Sequence, residues 1–263
     1  MINPEAIAFI DIDGTALRKE GKDSNYWENE SWFLLTAGFG ASIEEHKNIY
    51  GEYRDGITHD DKADQKLHDQ MSQKLIELWK KSWGANITIK DLLAVCLVIK
   101  EHLSEEFKTA IAELISNNIL VIAGTSGFEL AAQAIAEALN LNEQSIEENG
   151  DNKKLEYWFG NTEFLFNKRG GLTKFKHDKD LPGRKVKQAQ EKITKITSLI
   201  GKEIPVIAVG DGPSDLGLFF LYYGIAFQPT NTNVNLAAQA KAENWNEVVT
   251  SALLYLKEKE KAI

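Results

Sequence analysis

The sequence predicts an α/β protein: a doubly wound parallel sheet with a helical domain inserted after its first strand. Short apolar segments alternate with amphipathic helical segments at the start of the chain and over its second half. Residues 17 to 102 between them lack strong strand segments and are rich in helix-start patterns. Fully apolar strands that alternate with helices are typical of a parallel sheet covered on both faces.

Four apolar segments are predicted to be strands of this sheet, because each is short and ends in small or polar residues. They cover residues 5–11, 118–126, 203–211 and 223–229. The helices of the same region are predicted over 104–117, 128–140, 183–200 and 215–223. Two aromatic-rich runs around a Gly-Asn pair predict a hairpin or an edge strand over 154–166. The polar, glycine-containing stretch 167–183 is predicted to be an exposed loop.

The inserted region is predicted to contain helices over 26–37, 42–55, 59–83 and 88–102. Three helix starts are marked by a hydroxyl residue followed three positions later by an acidic one, which satisfies free amides in the first turn. These pairs are Ser42 with Glu45, Thr58 with Asp61, and Thr88 with Asp91. We therefore predict a catalytic core formed by residues 1–16 and 103–263 and a helical cap formed by residues 17–102.

The composition of the chain argues against nucleic acid and membranes as partners. The 263 residues carry a net charge of −9 without a dense block of lysine and arginine, so nucleic acid is not an expected partner. A membrane is not expected either, because no apolar run approaches the roughly 20 residues that span a bilayer. The N-terminal segment does not resemble a signal peptide. Cys96 is the single cysteine, which favours a reducing, cytoplasmic location. The five histidines show no zinc-ligand spacing and are predicted to be surface or helix residues.

Acidic residues follow two of the predicted strands. Asp11 and Asp13 end the first strand, and Asp211 and Asp215 follow the third. Ligands bind beyond the carboxyl ends of the strands in such sheets, where Thr125 is also expected. Taken alone, the first pair could be turn residues. Four carboxylates at one edge, however, repel each other unless a cation is bound, and hard oxygen ligands favour Mg²⁺.

Four motifs resemble those of the haloacid dehalogenase superfamily of phosphohydrolases, in that family's order. They are DIDGT at 11–15, VIAGTSG at 121–127, GRKVK at 183–187 and GDGPSD at 210–215. The helical insertion and the run after GDGPSD are similar to the phosphoserine-phosphatase-like branch. The resemblance implies a Rossmann-like core with a helical cap. It also implies a Mg²⁺-dependent phosphomonoesterase that acts on a small phosphorylated metabolite.

The resemblance further implies a role for each motif residue. Asp11 would be the nucleophile that forms an aspartyl-phosphate, and Asp13 the general acid and then the base. Lys185 would pair with Asp11 and bind the phosphoryl group, with Arg184 and Lys187 as alternatives. Gly14 and the hydroxyl of Thr125 or Ser126 would bind phosphate, and Thr125 is preferred because it directly follows the apolar run. The implied Mg²⁺ ligands are Asp11, Asp13 through its backbone carbonyl, Asp211 and Asp215.

Residues that select the substrate are less clearly marked. Glu20 resembles the glutamate that contacts the substrate amino group in phosphoserine phosphatases, and Arg54 the cap arginine that pairs with its carboxylate. The sequence around Arg54 departs from that family pattern, and the alternative for both residues is a solvated surface charge. Four of the six tryptophans lie in the insertion, at 27, 32, 79 and 83. They would form the core of the cap or line a pocket for a larger or choline-like phosphoester.

Two other functions remain open on the sequence. A phosphotransferase or mutase could use the same scaffold and the same aspartates. A non-hydrolytic phosphoaspartate signalling module, as in receiver domains, also places acidic residues at strand ends around Mg²⁺. The large insertion and the GDGPSD motif argue against the signalling module.

Overall fold

A six-stranded parallel sheet forms the centre of the protein in a computed structural model that describes residues 4–19, 26–56, 61–144, 146–148, 151–153, 155–177 and 181–261. The strands of the described part are β1 (Ala6–Asp11), β2 (Ile119–Gly124), β3 (Ile146–Glu148), β4 (Asp151–Lys153), β5 (Trp158–Phe159), β6 (Thr162–Phe166), β7 (Leu172–His177), β8 (Val206–Gly210), β9 (Tyr223–Phe227) and β10 (Ala240–Ala242). The sheet has the order β10-β9-β8-β1-β2-β5. Two antiparallel pairs, β3-β4 and β6-β7, lie outside it.

The helices fall into two groups, one in the inserted region and one around the sheet. The first group is α1 (Ser31–Gly38), α2 (Ile43–Asp55), α3 (Asp61–Trp83), α4 (Ile89–Val95) and α5 (Leu97–His102). The second is α6 (Glu105–Ser116), α7 (Glu129–Ala138), α8 (Leu181–Ile200), α9 (Leu216–Leu221), α10 (Thr232–Ala237) and α11 (Trp245–Lys261). Within the described ranges, no helix combines the length and apolarity needed to cross a membrane.

Strand register brings the predicted site residues to one edge of the sheet. β1 is central and is fully buried, with β2 on one side and β8 on the other. Asp11 pairs in register with Gly124, so Thr125 lies one residue beyond the end of β2. Asp211 likewise follows the last residue of β8. The predicted doubly wound α/β sheet is confirmed.

The helix starts of the insertion agree with the capping patterns where the structure describes them. The Ser42 hydroxyl accepts a hydrogen bond from the Glu45 amide at 3.1 Å. Thr88 and Asp91 form a reciprocal capping box. Thr58 lies outside the described residues. The helix predicted over 88–102 is divided at position 96 into α4 and α5.

The polar stretch after β6 is where the sequence prediction was wrong. Residues 167–183 contain β7 and the start of α8 instead of a single exposed loop. Leu172 and Phe175 of β7 are buried, whereas the lysines that alternate with them are exposed and gave the segment its loop-like composition. β7 pairs with β6 to form a hairpin, and the Phe175 amide donates to Ser72 Oγ in α3 at 2.8 Å.

An aromatic cluster joins the inserted helices to this hairpin and to the sheet. Trp32 of α1 packs on Phe128 with ring centroids 4.1 Å apart, and Phe128 stacks on Phe164 at 4.4 Å. Trp79 of α3 contacts Phe175 at 5.4 Å. Cap and core therefore share a continuous interior, and the division after residues 16 and 102 stays a prediction.

Candidate active site

The centre of the site is an ion pair between Asp11 and Lys185. Asp11 ends β1 and is 5% exposed, while Lys185, near the start of α8, is 1% exposed. The Lys185 ammonium donates to Asp11 Oδ1 at 2.5 Å and to Asp215 Oδ1 at 2.6 Å. Burial alone lowers the pKa of Lys185, but the two carboxylates raise it above its usual value, so the amine is protonated. Of the alternatives, Lys187 is exposed and Arg184 lies 3.7 Å from Glu163.

Three carboxylates form a compact acidic cluster around this pair. Asp11, Asp211 and Asp215 each offer an oxygen within 4.8 Å of the others. Burial and then the neighbouring Asp215 carboxylate raise the pKa of Asp11 well above its usual value. Burial and Asp215 also raise the pKa of Asp211, to about 6. Because these groups resist carrying negative charge together, the oxygen-only cluster fits a hard divalent cation.

Arg18 and Thr15 hold Asp211, and neither was singled out from the sequence. Arg18 is buried, and its Nη2 donates to Asp211 Oδ2 at 3.2 Å while its Nε donates to the Gly14 carbonyl at 2.8 Å. The Thr15 hydroxyl donates to Asp211 Oδ1 at 3.0 Å. Gly14 lies in the left-handed region, with φ of +77°, and a Cβ there would lie 2.5 Å from Asp211 Oδ2. This turn therefore requires glycine; phosphate binding by Gly14 stays a prediction.

The Asp13 carboxylate is not part of the acidic cluster and has partners of its own. Its Oδ1 accepts from the Ser31 amide at 2.6 Å, and its Oδ2 accepts from the Thr125 hydroxyl at 2.7 Å. Gly127 allows this approach, because a Cβ on it would lie 2.6 Å from Asp13 Oδ2. The Asp13 side chain is thus held between the first residue of cap helix α1 and the loop after β2. Its predicted contact with a metal is through the backbone carbonyl, and that contact stays a prediction.

Three buried hydroxyl groups lie on the two segments that hold Asp13. Thr125 donates to Asp13 and accepts from the Gly127 amide at 2.8 Å. The hydroxyl oxygens of Ser31 and Ser126 are buried and have no hydrogen-bond partner among the described residues. Buried polar atoms usually have a partner, so these two hydroxyls fit a bound oxyanion at this place.

A cavity of about 400 Å³ lies within the inserted region. Its wall includes Glu30, Trp32, Phe33, His46, Tyr50 and Arg54. Glu30 directly precedes the residue whose amide binds Asp13, so this wall adjoins the acidic site. Burial and then the Asp13 carboxylate raise the pKa of Glu30 well above its usual value. Glu30 was not predicted from the sequence, because it lies in an extended backbone position between a 3₁₀ turn and α1, where no local pattern marks it.

Two residues were predicted to select the substrate, and the structure describes one of them. Glu20 lies outside the described residues. Arg54 reaches the cavity from the last turn of α2, but its side chain is 71% exposed and lies 3.6 Å from Asp55. Of the predicted tryptophans, Trp32 lines the cavity while Trp79 is buried in the aromatic cluster. Trp27 packs beside Tyr26, and Trp83 is partly exposed.

No protein-family model and no curated protein sequence matches this chain significantly. Solved structures do match. A phosphoserine phosphatase with an analogue of its phospho-aspartyl intermediate has a TM-score of 0.58 at 22% identity, covering 94% of this chain and 98% of that one. A substrate-bound phosphoserine phosphatase has a TM-score of 0.56 at 21% identity, covering 95% and 99%. Cytosolic 5′-nucleotidase IIIB bound to cytidine has a TM-score of 0.59 at 16% identity, covering 98% and 86%. These likenesses show that the chain has the fold of solved phosphoserine phosphatases, as the motifs predict.

Proposed function

We propose that the protein is a Mg²⁺-dependent phosphatase that hydrolyses a small phosphorylated metabolite through an aspartyl-phosphate on Asp11. The observation that carries the proposal is the buried group formed by Asp11, Lys185, Asp211 and Asp215, with Asp13 held beside it. Function follows from such a site and not from the fold alone. The phosphatases with a similar fold support the same reaction class.

The first step is attack by an Asp11 carboxylate oxygen on phosphorus. The bond from phosphorus to the alcohol oxygen breaks as Asp13 donates its proton to that oxygen. Lys185 is placed to neutralise phosphoryl oxygens while it orients Asp11. Such transfers depend mainly on positioning and on charge stabilisation.

The second step regenerates Asp11. Asp13, now ionised, removes a proton from water, and the water oxygen bonds to phosphorus. The bond between phosphorus and the Asp11 oxygen breaks, which releases inorganic phosphate. Ser31 and Thr125 keep Asp13 in one orientation for both proton transfers.

Asp11, Asp211 and Asp215 would hold Mg²⁺ through their carboxylates. A bound Mg²⁺ supplies positive charge that favours the ionised form of Asp11 and offsets the charge of the phosphate. The buried oxygen-only donors fit this ion. We further propose a cytoplasmic location, because Cys96 is a buried thiol in a chain with no second cysteine.

The direct test is phosphate release from p-nitrophenyl phosphate and from a panel of phosphomonoesters, measured with Mg²⁺ and with EDTA. We expect release that requires Mg²⁺. Product analysis with added acceptor alcohols separates hydrolysis from phosphotransfer. Absence of release from every ester at saturating Mg²⁺ would contradict the proposal and favour a signalling module.

Asp13→Asn is expected to slow hydrolysis of an alkyl phosphomonoester by about 10²–10⁴-fold, because the alkoxide leaving group needs a proton. The loss with p-nitrophenyl phosphate should be much smaller, since p-nitrophenolate leaves without protonation. The measurement is kcat for both esters in the same preparation, so each ester is the control for the other. Equal losses would show that Asp13 has another role.

Binding of Mg²⁺ is expected to strengthen as pH rises through about 6, because the pKa of Asp211 is raised to about 6. Protons compete with the metal below that value and weaken binding by about tenfold at about pH 5 through this group alone. Without metal, a raised folded-state pKa makes the protein lose stability as pH rises from about 4 through about 6. Thermal unfolding with Mg²⁺ or EDTA across this range measures both effects.

Asp211→Asn provides the matched control for that measurement. This variant should lose most of the Mg²⁺ response and flatten the pH dependence measured in EDTA. An equal stabilisation by Mg²⁺ at about pH 5 and about pH 7.5 in the unmodified protein would contradict the assignment of Asp211 as a ligand.

A further inference from the structure

Glu30 places a carboxyl group in the wall of the cavity, with no cation in contact with it among the described residues, and its raised pKa favours the neutral acid until a cation binds. Its carboxylate makes no ion pair and no side-chain hydrogen bond with the described residues. After burial, the carboxylates of Asp13, Asp211 and Asp11 raise the pKa of Glu30, and the guanidinium of Arg18 lowers it. A buried, unpaired carboxylate is costly unless a ligand supplies the opposite charge.

The rest of the wall is aromatic. Phe33 packs against His46 at 4.3 Å between ring centroids and meets Tyr50 edge-on at 6.5 Å. Trp32, also in the wall, is fixed by Phe128 at 4.1 Å. Trp32 packs on the core, Phe33 is held against buried His46, and Tyr50 is exposed at the mouth of the cavity. Aromatic faces attract cations, and a desolvated cation gains most.

His46 adds no positive charge to this cavity. The residue is 0% exposed, and burial lowers its pKa to about 3, so the imidazole is neutral. Its Nδ1 lies 2.7 Å from the Thr36 hydroxyl, which accepts from Trp79 at 2.8 Å. The other ring nitrogen, Nε2, is buried and has no partner among the described residues. His46 therefore acts here as a rigid, uncharged wall.

Positive side chains occur only at the rim among the described lining residues. Lys47 is exposed, and Arg54 is exposed beside Asp55. Neither side chain is buried in a position where it could bind a substrate carboxylate through two hydrogen bonds. Among its described lining residues, the cavity offers one carboxyl group and aromatic rings in its wall and no buried basic side chain for an acid group.

We propose, building on the phosphatase function above, that this cavity selects phosphomonoesters of alkanolammonium compounds whose nitrogen is methylated. Glu30 supplies the counter-charge, and Trp32, Phe33 and Tyr50 contact the head group. A primary ammonium carries three N–H donors that each need an acceptor, whereas Glu30 is the single carboxylate among the described residues of the wall. A quaternary head has no N–H group, so one carboxylate and aromatic faces satisfy it fully.

The test compares kcat/KM for choline phosphate, ethanolamine phosphate, serine phosphate and 3,3-dimethylbutyl phosphate. The last ester has the shape of choline phosphate without its charge. We expect choline phosphate to exceed the neutral ester and serine phosphate by about tenfold or more. In Glu30→Gln the ratio of choline phosphate to the neutral ester should fall towards one. Glu44→Gln, on an exposed position of α2, is the matched control and should keep the ratio.

A binding measurement separates this inference from the phosphatase proposal. Choline titrated calorimetrically against the Mg²⁺-loaded protein should bind, and Glu30→Gln should weaken it by about tenfold. If p-nitrophenyl phosphate is hydrolysed but serine phosphate or the neutral ester is preferred, the cavity assignment is wrong and the phosphatase function stands. If no ester is hydrolysed but choline binds through Glu30, the reaction is wrong and the cavity assignment stands. Absence of choline binding together with no preference for its ester overturns the inference.

Discussion

Asp11→Asn is expected to reduce phosphate release by at least about 10³-fold while leaving the fold intact. Asparagine has nearly the same shape but cannot attack phosphorus as a carboxylate. Lys185 keeps its second partner, Asp215, at 2.6 Å, so removing one charge does not leave the ammonium unpaired. The measurement is kcat with p-nitrophenyl phosphate at saturating Mg²⁺, together with thermal unfolding of both proteins.

The same variant tests the covalent intermediate directly. Acid-quenched wild-type protein should contain a phosphorylated peptide that carries Asp11, and hydroxylamine should remove the phosphate because an acyl phosphate is labile to it. The peptide from Asp11→Asn should remain unmodified. Turnover retained in this variant, after purification from a phosphatase-deficient host, would show that another group is the nucleophile.

The predictable part of the fold rests on elements whose signal is local. β1 and β2 are completely buried on both faces, so their sequences are continuous apolar runs. β7 was missed because only Leu172 and Phe175 face the interior, and its exposed lysines hide them in a polar segment. β5 lies at the edge of the sheet, inside the segment 154–166 that was predicted to hold a hairpin or an edge strand. β10 has three residues, which is too short for a periodic pattern.

The residues of the site also differ in whether the sequence could predict them. Asp11 and Asp211 were predictable together because parallel strands end at one edge of the sheet. Arg18 was not, since its contact with Asp211 joins residues 193 positions apart and depends on the turn at Gly14. His46 was predicted to be a surface or helix residue; it is on a helix but buried, because Phe33 and Thr36 of α1 cover it. Contacts with residues of other helices determine whether such a position is buried, and the sequence pattern of α2 does not indicate those contacts.

Helix α1 contacts Asp13 and also forms part of the cavity wall. The Ser31 amide at its first residue binds Asp13, while Glu30 and Trp32 on either side face the cavity. Trp32 also packs on Phe128 next to the loop that carries Thr125. A displacement of α1 would therefore disturb the proton-transferring group and the substrate wall together. If Asp13 transfers protons as proposed, α1 would be part of the catalytic arrangement and not only a cover over it.

Lys185→Met is expected to destabilise the metal-free protein by roughly 3–5 kcal/mol, the usual cost of breaking a buried ion pair by removing one partner. Methionine preserves the length of the side chain but leaves Asp11 and Asp215 without the ammonium between them. Activity should fall by about 10²–10³-fold, because the phosphoryl oxygens lose a fixed positive charge. Lys187→Met, at an exposed position two residues along α8, is the matched control and should behave as the wild type.

The pH dependence identifies the cause of that destabilisation. If repulsion between unpaired carboxylates is responsible, the loss of stability in EDTA should grow as pH rises, because protonation relieves the repulsion at low pH. Mg²⁺ should then stabilise Lys185→Met more than the wild type, since the ion replaces the missing charge. Adding Asp215→Asn should recover much of the stability in EDTA without recovering activity. A loss that is independent of pH and metal would instead assign Lys185 a packing role, and the electrostatic account of the site would be wrong.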